Sequence, residues 1–375
     1  MINIINKEKC SGCHACAMAC PKECISMERD EEGFLYPRVD KDKCINCQLC
    51  KKSCPIIEKN THSLDVCAYA IKNRDDEIRM QSSSGGIFTA IATKVILDGG
   101  VVFGAAFDSS FNVHHICVES VEELSRLRGS KYAQSTIGNT YKQAKEMLDS
   151  ERFVYFTGTP CQIEGLLKYL GREYENLLTS DIVCHGVPSP MVWQLYLRSK
   201  SDSCVKYASF RDKSEGWGNY SVVISFENSP EYKALASNDM YIKAFLSDLC
   251  LRPSCYSCAF KSKNRASDLT LADFWGIEKV LPELNDNKGT SLVLVHGKKG
   301  KKLLDDISEY IEIKEVDLDK ALIYNPSATV SSSKPQKREE FIKNIRSEEF
   351  DKITEKYSKR TFIQKLKSKI KSIFK

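Results

Sequence analysis

Cysteine is the residue type in this sequence whose spacing most directly predicts chemistry. Two runs near the N-terminus share the pattern Cys-x2-Cys-x2-Cys-x3-Cys-Pro. The two runs are Cys10, Cys13, Cys16, Cys20 and Pro21, and then Cys44, Cys47, Cys50, Cys54 and Pro55. Thiolates at this spacing hold cubic iron–sulfur clusters. The two-residue gaps let a tight backbone loop wrap one cluster, so the sequence predicts two [4Fe-4S] clusters.

The same run is found in bacterial ferredoxins, where the fourth cysteine of each run ligates the other cluster. The expected ligand sets are therefore Cys10, Cys13, Cys16 and Cys54 for one cluster, and Cys44, Cys47, Cys50 and Cys20 for the second. The alternative is a pair of zinc sites, but zinc usually takes two CxxC pairs per site. A ninth cysteine, Cys24, lies past the fourth ligand and is expected to be a small buried apolar residue.

Length and cysteine content limit the class of protein. The 375 residues predict two or three domains. Seventeen cysteines would indicate disulfides in a secreted chain, but the first seven residues contain no apolar signal segment and the cluster motifs need reduced thiolates. A cytoplasmic protein is therefore expected. No apolar run approaches the roughly 20 residues that a membrane helix needs.

Apolar periodicity predicts the elements that position the cysteines and the remaining motifs. Residues 25–43 alternate around a turn at Gly33 and predict a hairpin between the two cysteine runs. Further strands are predicted at residues 66–71, 101–107, 113–118, 153–156, 177–183, 205–210 and 220–226. Helices are predicted at residues 87–96, 121–128, 139–149, 190–200 and 231–249, with another ending at Leu170. Strand–helix alternation mixed with adjacent strands predicts an α/β fold with a mixed sheet.

A second set of cysteines lies at the ends of predicted strands or in loops marked by glycine or proline. The set is Cys161, Cys184, Cys255 and Cys258. Only the last two have ligand spacing by themselves. Chemistry alone leaves two interpretations open, a third metal site or four ordinary buried cysteines.

Three further segments are candidates for binding a cofactor. The run Ser82–Gly86 opens a predicted helix, where glycines let the backbone approach a ligand and free N–H groups attract phosphate. Gly129–Tyr132 adds a cation and hydroxyls, and Asp268–Gly276 is a strand ending in an acid and two aromatic residues. Each is weak alone, since serine and glycine before a helix usually form only a cap. The GxGxxG fingerprint of a standard dinucleotide fold is missing from the sequence.

Six motifs together carry a resemblance. In chain order they are Ser83–Gly86, Gly129–Tyr132, Thr157–Gln162, Cys184–Gly186, Cys255-x2-Cys258 and Asp268–Gly276. In this order they resemble the beta-subunit family of coenzyme F420 hydrogenases and dehydrogenases, which includes F420-reducing hydrogenase beta subunits and 7-hydroxymethyl chlorophyll a reductases. The resemblance covers roughly residues 64–325. The N-terminal cysteine unit matches an extension that many members carry.

The resemblance implies a domain organisation and cofactors. It implies a ferredoxin domain at 1–58 and a flavin and iron–sulfur domain at 64–325. The polar and then basic composition that follows predicts a linker and a basic helical tail at 326–375. The resemblance also implies a noncovalent FAD beside a third [4Fe-4S] cluster held by Cys161, Cys184, Cys255 and Cys258. The implied flavin contacts are Ser84, Gly85, Gly86, Ser130, Lys131 and Tyr132.

The expected function is an electron relay, since clusters carry single electrons and a flavin carries one or two. A reduced ferredoxin or similar donor would feed the N-terminal clusters, and the flavin would reduce a small organic acceptor such as a deazaflavin-like molecule. The reverse direction is equally compatible. His185 and Asp273 are the candidate catalytic residues, although a plain hydrogen-bonding role for His185 is the alternative. Arg211 is interpreted as part of a surface charge cluster rather than as an anion-binding residue.

Two other functions stay open at the level of sequence. The chain could be an electron-transfer or adaptor subunit of a larger complex without its own substrate, or a cofactor-free binding module. The net charge of +5 is mild, and the excess of basic residues is concentrated at the C-terminal end. Nucleic acid is therefore not an expected partner. Residues 338–357 are predicted to be helical. The tail at 359–375 has lysines beside an apolar stripe, which predicts either peripheral contact with an anionic membrane or packing on the body.

Overall fold

The computed structural model describes residues 1–3, 6–58 and 65–358. The predicted basic tail at 359–375 lies outside the described residues. Within the described part of the chain, no helix combines the length and apolar character needed to cross a membrane.

Fourteen α-helices are formed by the described residues. In chain order they are α1 (Ala15–Met18), α2 (Leu49–Lys52), α3 (Asp76–Gln81), α4 (Ile87–Leu97), α5 (Leu124–Leu127), α6 (Thr140–Asp149), α7 (Pro160–Leu170), α8 (Pro190–Lys200), α9 (Met240–Leu246), α10 (Ile277–Val280), α11 (Lys298–Asp306), α12 (Leu318–Leu322), α13 (Arg338–Asn344) and α14 (Phe350–Ser358).

Thirteen strands in the described residues form three sheets. They are β1 (Ile25–Arg29), β2 (Leu35–Val39), β3 (Val66–Asn73), β4 (Val101–Phe107), β5 (Val113–Val118), β6 (Val154–Thr157), β7 (Leu177–Ile182), β8 (Val205–Asp212), β9 (Ser221–Phe226), β10 (Tyr232–Leu235), β11 (Leu269–Asp273), β12 (Ser291–His296) and β13 (Ile311–Val316). The β1–β2 hairpin lies between the two cysteine runs, as predicted.

The large sheet has eight strands in the order β13-β3-β12-β11-β7-β6-β4-β5. Its centre, β4, β6, β7 and β11, is parallel, while the outer pairs are antiparallel. Parallel neighbours need a crossover, which α7 supplies between β6 and β7. This mixed sheet confirms the predicted α/β class. Because the central strands are parallel, their carboxyl ends meet at one edge, where α/β folds bind their ligands.

The predicted helix at 231–249 is wrong in its first half. Residues Tyr232–Leu235 form β10, which pairs antiparallel with β9 and completes a three-stranded sheet with β8. The helix begins only at Met240. The preceding residue, Asp239, caps it, since its carboxylate accepts the Ile242 N–H at 2.8 Å. Pairing with β9 satisfies the backbone hydrogen bonds of Tyr232–Leu235. Such tertiary context overrides the local helix propensity.

The C-terminal helices α13 and α14 belong to a core of the body. Their buried apolar residues are Phe341, Ile342, Ile345, Phe350, Ile353 and Tyr357. These pack in one cluster with Trp193 and Tyr196 of α8 and Tyr241 of α9. The apolar positions of residues 338–358 therefore cover the α8–α9 face.

The N-terminal module, the part of residues 1–58 that carries both cysteine runs, is held on the body by a buried ion pair. Both carboxylate oxygens of Glu32, at the tip of the β1–β2 hairpin, accept N–H groups of Arg338, one of them at 3.0 Å. Arg338 also donates to the Leu251 carbonyl at 2.7 Å and to the Tyr256 hydroxyl at 2.9 Å. One guanidinium thus joins the hairpin, the body and α13.

Replacing Arg338 by alanine is expected to lower the free energy of unfolding by about 3 kcal/mol, because it leaves Glu32 without its partner inside the interface. The value is at the lower end for buried pairs because Glu32 keeps part of its exposure. Anaerobic denaturation followed by circular dichroism measures the effect. The matched control is Lys352→Ala, which breaks an exposed pair with Glu349 and should leave the transition in place. Equal denaturation midpoints for the two variants would contradict the proposed role of the Arg338–Glu32 ion pair.

Candidate functional site

The eight N-terminal cysteines line two separate cavities. The inner cavity, next to the body, is lined by Cys10, Cys13, Cys16 and Cys54. The outer cavity is lined by Cys20, Cys44, Cys47 and Cys50, and also by Cys24. The structure thus groups the thiols in the two sets predicted from the spacing, with the fourth cysteine of each run at the other cavity. Cys24 is buried, as expected, and its sulfur lies 3.3 Å from that of Cys20 at the outer cavity.

Each cavity is wrapped by a loop with the same backbone conformation. The residues on either side of Cys13, Gly12 and His14, have positive φ, and α1 starts directly after them. The residues on either side of Cys47, Asn46 and Gln48, repeat this conformation before α2. Left-handed positions on both sides of the second cysteine turn the chain sharply around the cavity.

The number of thiols at each N-terminal cavity suits a four-iron cluster, which takes four cysteine ligands. Across residues 1–3, 6–58 and 65–358, no group of three or more Cys, His, Asp or Glu side chains could hold one metal ion. A zinc ion bonded at about 2.3 Å would bring four sulfurs nearly into contact, whereas a four-iron cube occupies the space between its ligands. Each cavity is lined by the four cysteines that such a cube would need.

The second cysteine set converges on a third cavity. Cys161, Cys184, Cys255 and Cys258 line a volume of about 320 Å³. Cys161 starts α7 directly after β6, Cys184 follows β7, and the other two lie at a short 3-10 helix, Pro253–Ser257. Desolvation raises the pKa of Cys184 and of Cys255 to about 12. Metal binding would replace these thiol protons, so the donor set fits a third cluster.

The inner and third cavities adjoin. Ser11 from the first cysteine loop lines both cavities. Helix α7, which carries Cys161, passes so close to this loop that a Cβ on Gly165 would lie 2.9 Å from the Cβ of Cys13. A glycine is therefore required where the helix crosses the first cysteine loop. Sequence spacing contained no signal for this contact.

A larger cavity of about 470 Å³ lies at the carboxyl edge of the central strands. It is lined by Thr157–Thr159 after β6, Cys184–Pro188 after β7, and Asp273 at the end of β11. Its volume is that of a typical cofactor site. The segment Cys184–Val187 lines this cavity and also the third cysteine cavity, so the two sites share a wall.

Five of the six predicted flavin contacts line the large cavity. These are Ser84, Gly86, Ser130, Lys131 and Tyr132. The two predicted loops are tied together, because the Ser83 hydroxyl accepts the Ser130 N–H at 2.7 Å. Gly85 does not line the cavity. Its N–H donates to the Ser291 hydroxyl at 3.0 Å, which holds the loop against β12.

Lys131 is bound to the loop that carries it. Its ammonium donates to the carbonyls of Leu127, Arg128 and Gly129 at 3.1–3.2 Å. Burial lowers its pKa to about 7. This lysine therefore shapes the loop at the cavity wall, and its contact with a flavin stays a prediction.

The two candidate catalytic residues each contact a charged side chain at the cavity. His185 Nε2 lies 2.7 Å from an Asp248 carboxylate oxygen. Asp273 pairs with Arg211 at 3.0 Å. Both candidates line the large cavity, and their catalytic roles stay predictions.

The interpretation of Arg211 as part of a surface charge cluster is wrong. Arg211 is only 5% exposed and lines the large cavity. Strand β8 extends past Phe210 and places the guanidinium 3.9 Å from the ring centre of Tyr220 and within reach of Asp273. Its Nε has no hydrogen-bond partner among the described residues. The local run of charges gave no sign that the next strand would cover it.

Sequence analysis missed His115, the second of two adjacent histidines on β5. Its Nε2 lies 2.9 Å from the Thr157 carbonyl and must carry the proton, so Nδ1 accepts from the Ser135 hydroxyl at 2.7 Å. Burial lowers the pKa of His115 to about 4 and keeps the ring neutral. Both partners line the large cavity. Only pairing in the sheet brings β5 to this edge, so no local pattern could have identified it.

Comparison with protein families agrees with this geometry. Residues 68–141 match the model "Coenzyme F420 hydrogenase/dehydrogenase, beta subunit N-term", and residues 151–320 match the C-terminal model of the same family. The two matches cover more than half of the chain. The chain belongs to this family. Residues 9–56 match a 4Fe-4S dicluster domain, which supports iron–sulfur clusters in the N-terminal module.

Similarity outside the family models is distant. No curated protein matches the chain. Among solved structures, one similar chain comes from the F420-reducing [NiFe] hydrogenase complex of Methanosarcina barkeri. The two are 16% identical with a TM-score of 0.47, and the similarity covers 72% of this chain and 91% of the other.

The Gly85→Ala variant tests whether the loop on β12 requires a glycine. An added Cβ would lie 2.6 Å from the Ser291 nitrogen and against the Ile71 carbonyl. Such overpacking costs about 1–3 kcal/mol, so thermal unfolding should occur at lower temperature. Gly218→Ala is the matched control, since its Cβ would meet nothing closer than 3.6 Å. A Gly85→Ala transition that coincides with that of the control would show that the loop can move away.

Proposed function

We propose that this family member is an iron–sulfur flavoprotein oxidoreductase that relays single electrons between a redox protein and a small organic acceptor. The observation that carries the proposal is the shared wall: Cys184–Val187 lines both the third cysteine cavity and the large cavity. The inner ferredoxin cavity adjoins the third cavity in turn. The two N-terminal cavities, the third cysteine cavity and the large cavity would then be the successive sites of an electron relay.

The chain's residues fit the proposed groups at each site. The eight N-terminal cysteines would hold two [4Fe-4S] clusters, and Cys161, Cys184, Cys255 and Cys258 would hold a third. The loops Ser82–Gly86 and Gly129–Tyr132 would hold FAD in the large cavity. Bound clusters would supply one-electron transfer, and a flavin would couple it to two-electron chemistry.

Side chains around the large cavity prepare it for a charged, planar cofactor. The Arg211–Asp273 pair brings a fixed cation to the wall without adding net charge. The Thr159 hydroxyl and Gln162 form a capping box that fixes the start of α7 beside Cys161. Asp248 orients His185, which leaves this imidazole as the candidate to exchange a proton with the acceptor.

Aromatic side chains at the cavity suit a planar acceptor. Phe245, Trp275 and Tyr324 line it together with Leu246, which is 58% exposed. Aromatic faces bind planar rings by offset or edge-to-face stacking. A deazaflavin-like molecule or another planar organic compound is therefore the proposed acceptor class.

The outer cavity is placed to exchange electrons with a redox protein. Cys47 is exposed, and Ile45 and Leu49 beside it are 58% and 41% exposed. The exposed lysines nearby in sequence are Lys41, Lys43, Lys51 and Lys52. We propose that an acidic, ferredoxin-like carrier docks on this basic and apolar face.

A second candidate function is an adaptor subunit that passes electrons within a larger complex and has no substrate of its own. The exposed apolar residues around Cys47 favour it as well, since such a face also fits a permanent partner. Turnover of an organic acceptor by the isolated, cluster-loaded chain separates the two functions. Reduction of the flavin without any acceptor turnover would support the adaptor.

Cofactor content tests the proposal directly. Anaerobically purified chain should contain about twelve irons with matching sulfide, four per cube, and one FAD in the acid-released supernatant. The double variant Cys255→Ser and Cys258→Ser should retain about eight irons. Cys204→Ser is the control, because Cys204 is exposed and away from all three cavities. Eight irons and no flavin in the unmodified chain would contradict the third cluster and the flavin site.

Charge reversal tests the docking face. Lys51→Glu with Lys52→Glu should slow reduction by an acidic ferredoxin about tenfold or more at low salt, because electrostatic steering of this size is common. The difference should shrink as salt rises. Lys301→Glu with Lys302→Glu on α11 is the matched control of equal charge change. Equal rates for the two double variants would place the docking site elsewhere.

A further inference from the structure

Arg252 is a buried cation between the inner ferredoxin cavity and the third cysteine cavity. It is 1% exposed and one of the largest fully buried side chains in the described part of the chain. Its backbone carbonyl accepts the Cys255 N–H at 2.9 Å, and its own N–H donates to the Val187 carbonyl at 2.9 Å. The residue is thus anchored in the wall of the third cavity.

Its guanidinium points away from that anchor into the ferredoxin module. Nε donates to the Cys10 carbonyl at 2.7 Å, and Nη2 donates to the Leu35 carbonyl at 2.9 Å. The same Nη2 lies 3.7 Å from the Cys10 sulfur. Nη1 donates to the Gln134 side-chain oxygen at 2.8 Å. A Cβ on Gly12 would lie 2.7 Å from Nη1, so the first cysteine loop closes tightly over the cation.

None of these acceptors carries a full negative charge. They are two carbonyls, an amide oxygen and a cysteine sulfur, and within the described residues no carboxylate pairs with Arg252. The other four buried arginines each pair with a carboxylate: Arg79 with Asp286, Arg211 with Asp273, Arg265 with Asp181 and Arg338 with Glu32. A buried charge without a counter-charge is very costly. The hydrogen bonds and the ring faces of Tyr36 and Phe34, whose centres lie 4.2 and 5.3 Å from the guanidinium, offset part of this cost. An anion beside Arg252 would offset more of it, and Cys10 is the one acceptor that becomes anionic when its sulfur ligates iron.

We propose that Arg252 is the counter-charge of the inner cluster and raises its reduction potential. A cluster gains one negative charge on reduction, so a fixed cation beside a ligand sulfur stabilises the reduced form more than the oxidised form. Net charge and hydrogen bonds to the sulfurs are established determinants of cluster potentials. The cation is supplied by the flavin-domain part of the chain, so docking of the module tunes the cluster.

An anaerobic redox titration followed by electron paramagnetic resonance tests this in the full chain. Arg252→Gln should lower the midpoint potential of one N-terminal cluster and leave the other in place. Arg252→Lys keeps the charge and should restore most of the potential. If Arg252→Gln keeps its iron and its reduction potentials, Arg252 only holds the first cysteine loop in place and the proposal fails.

A second pair of variants keeps Arg252 itself and so retains its hydrogen bond to the Cys10 carbonyl. Gln134→Glu places a carboxylate against Nη1 in nearly the same shape and should lower the same potential. Gln134→Leu is the matched control, since both variants lose the bond from the Gln134 amide to the Ser11 carbonyl, but only one adds charge. A shift in Gln134→Glu that is equalled in Gln134→Leu would overturn the electrostatic explanation.

The proposal rests on the dicluster module and not on the flavin or the third cluster. The measured quantity is a cluster potential rather than turnover. If the chain lacked FAD, the proposed function would fail while the shift in Arg252→Gln would remain. Conversely, a relay with twelve irons and unchanged potentials in Arg252→Gln would leave the proposed function standing and reject the role of Arg252.

Discussion

The constraint on which this structure depends is the fixed position of a small cysteine-rich module on a much larger α/β body. Two buried guanidiniums hold the module from the body side: Arg338 binds the hairpin tip at Glu32, and Arg252 binds the first cysteine loop at Cys10. Where α7 crosses that loop, only Gly165 leaves room for Cys13. Buried polar contacts are costly unless satisfied, so these contacts permit one docked arrangement and penalise others. That is the property a chain of redox sites requires, because neighbouring sites must stay close.

The second physical theme is the convergence of sites at one sheet edge. Parallel strands β6, β7 and β11 end together, so Thr157, Cys184 and Asp273 meet although they are far apart in sequence. The same edge takes the Ser82–Gly86 loop, which Gly85 fastens to β12. Cofactor sites at the carboxyl edge are common in α/β folds. Here the edge also carries a set of four cysteines, so the cavity that they line shares a wall with the large cavity.

Two ionisable side chains at the large cavity, Arg211 and His185, each contact a carboxylate. Arg211 is neutralised by Asp273, and His185 is oriented by Asp248. His115 is kept neutral by burial, which lowers its pKa to about 4. The cavity thus has polar atoms at defined positions, and Lys131 adds a basic group that is held by backbone carbonyls. Arg252, at the third cysteine cavity, differs from Arg211, since it forms no ion pair with a carboxylate within the described residues.

The sequence by itself determined what depends on local spacing. The spacing of the two cysteine runs predicted which cysteines line each N-terminal cavity, because three closely spaced cysteines turn around one centre and the fourth of each run reaches the other. Period-2 and period-3.6 patterns predicted most strands and helices, and six ordered motifs identified the family. Tertiary structure alone decided what depends on distant partners. It turned Tyr232–Leu235 into a strand, buried Arg211 under Tyr220, brought His115 to the cavity and set Arg252 against Cys10. These features arise from pairing and packing between segments far apart in the chain, and no local pattern encodes such contacts.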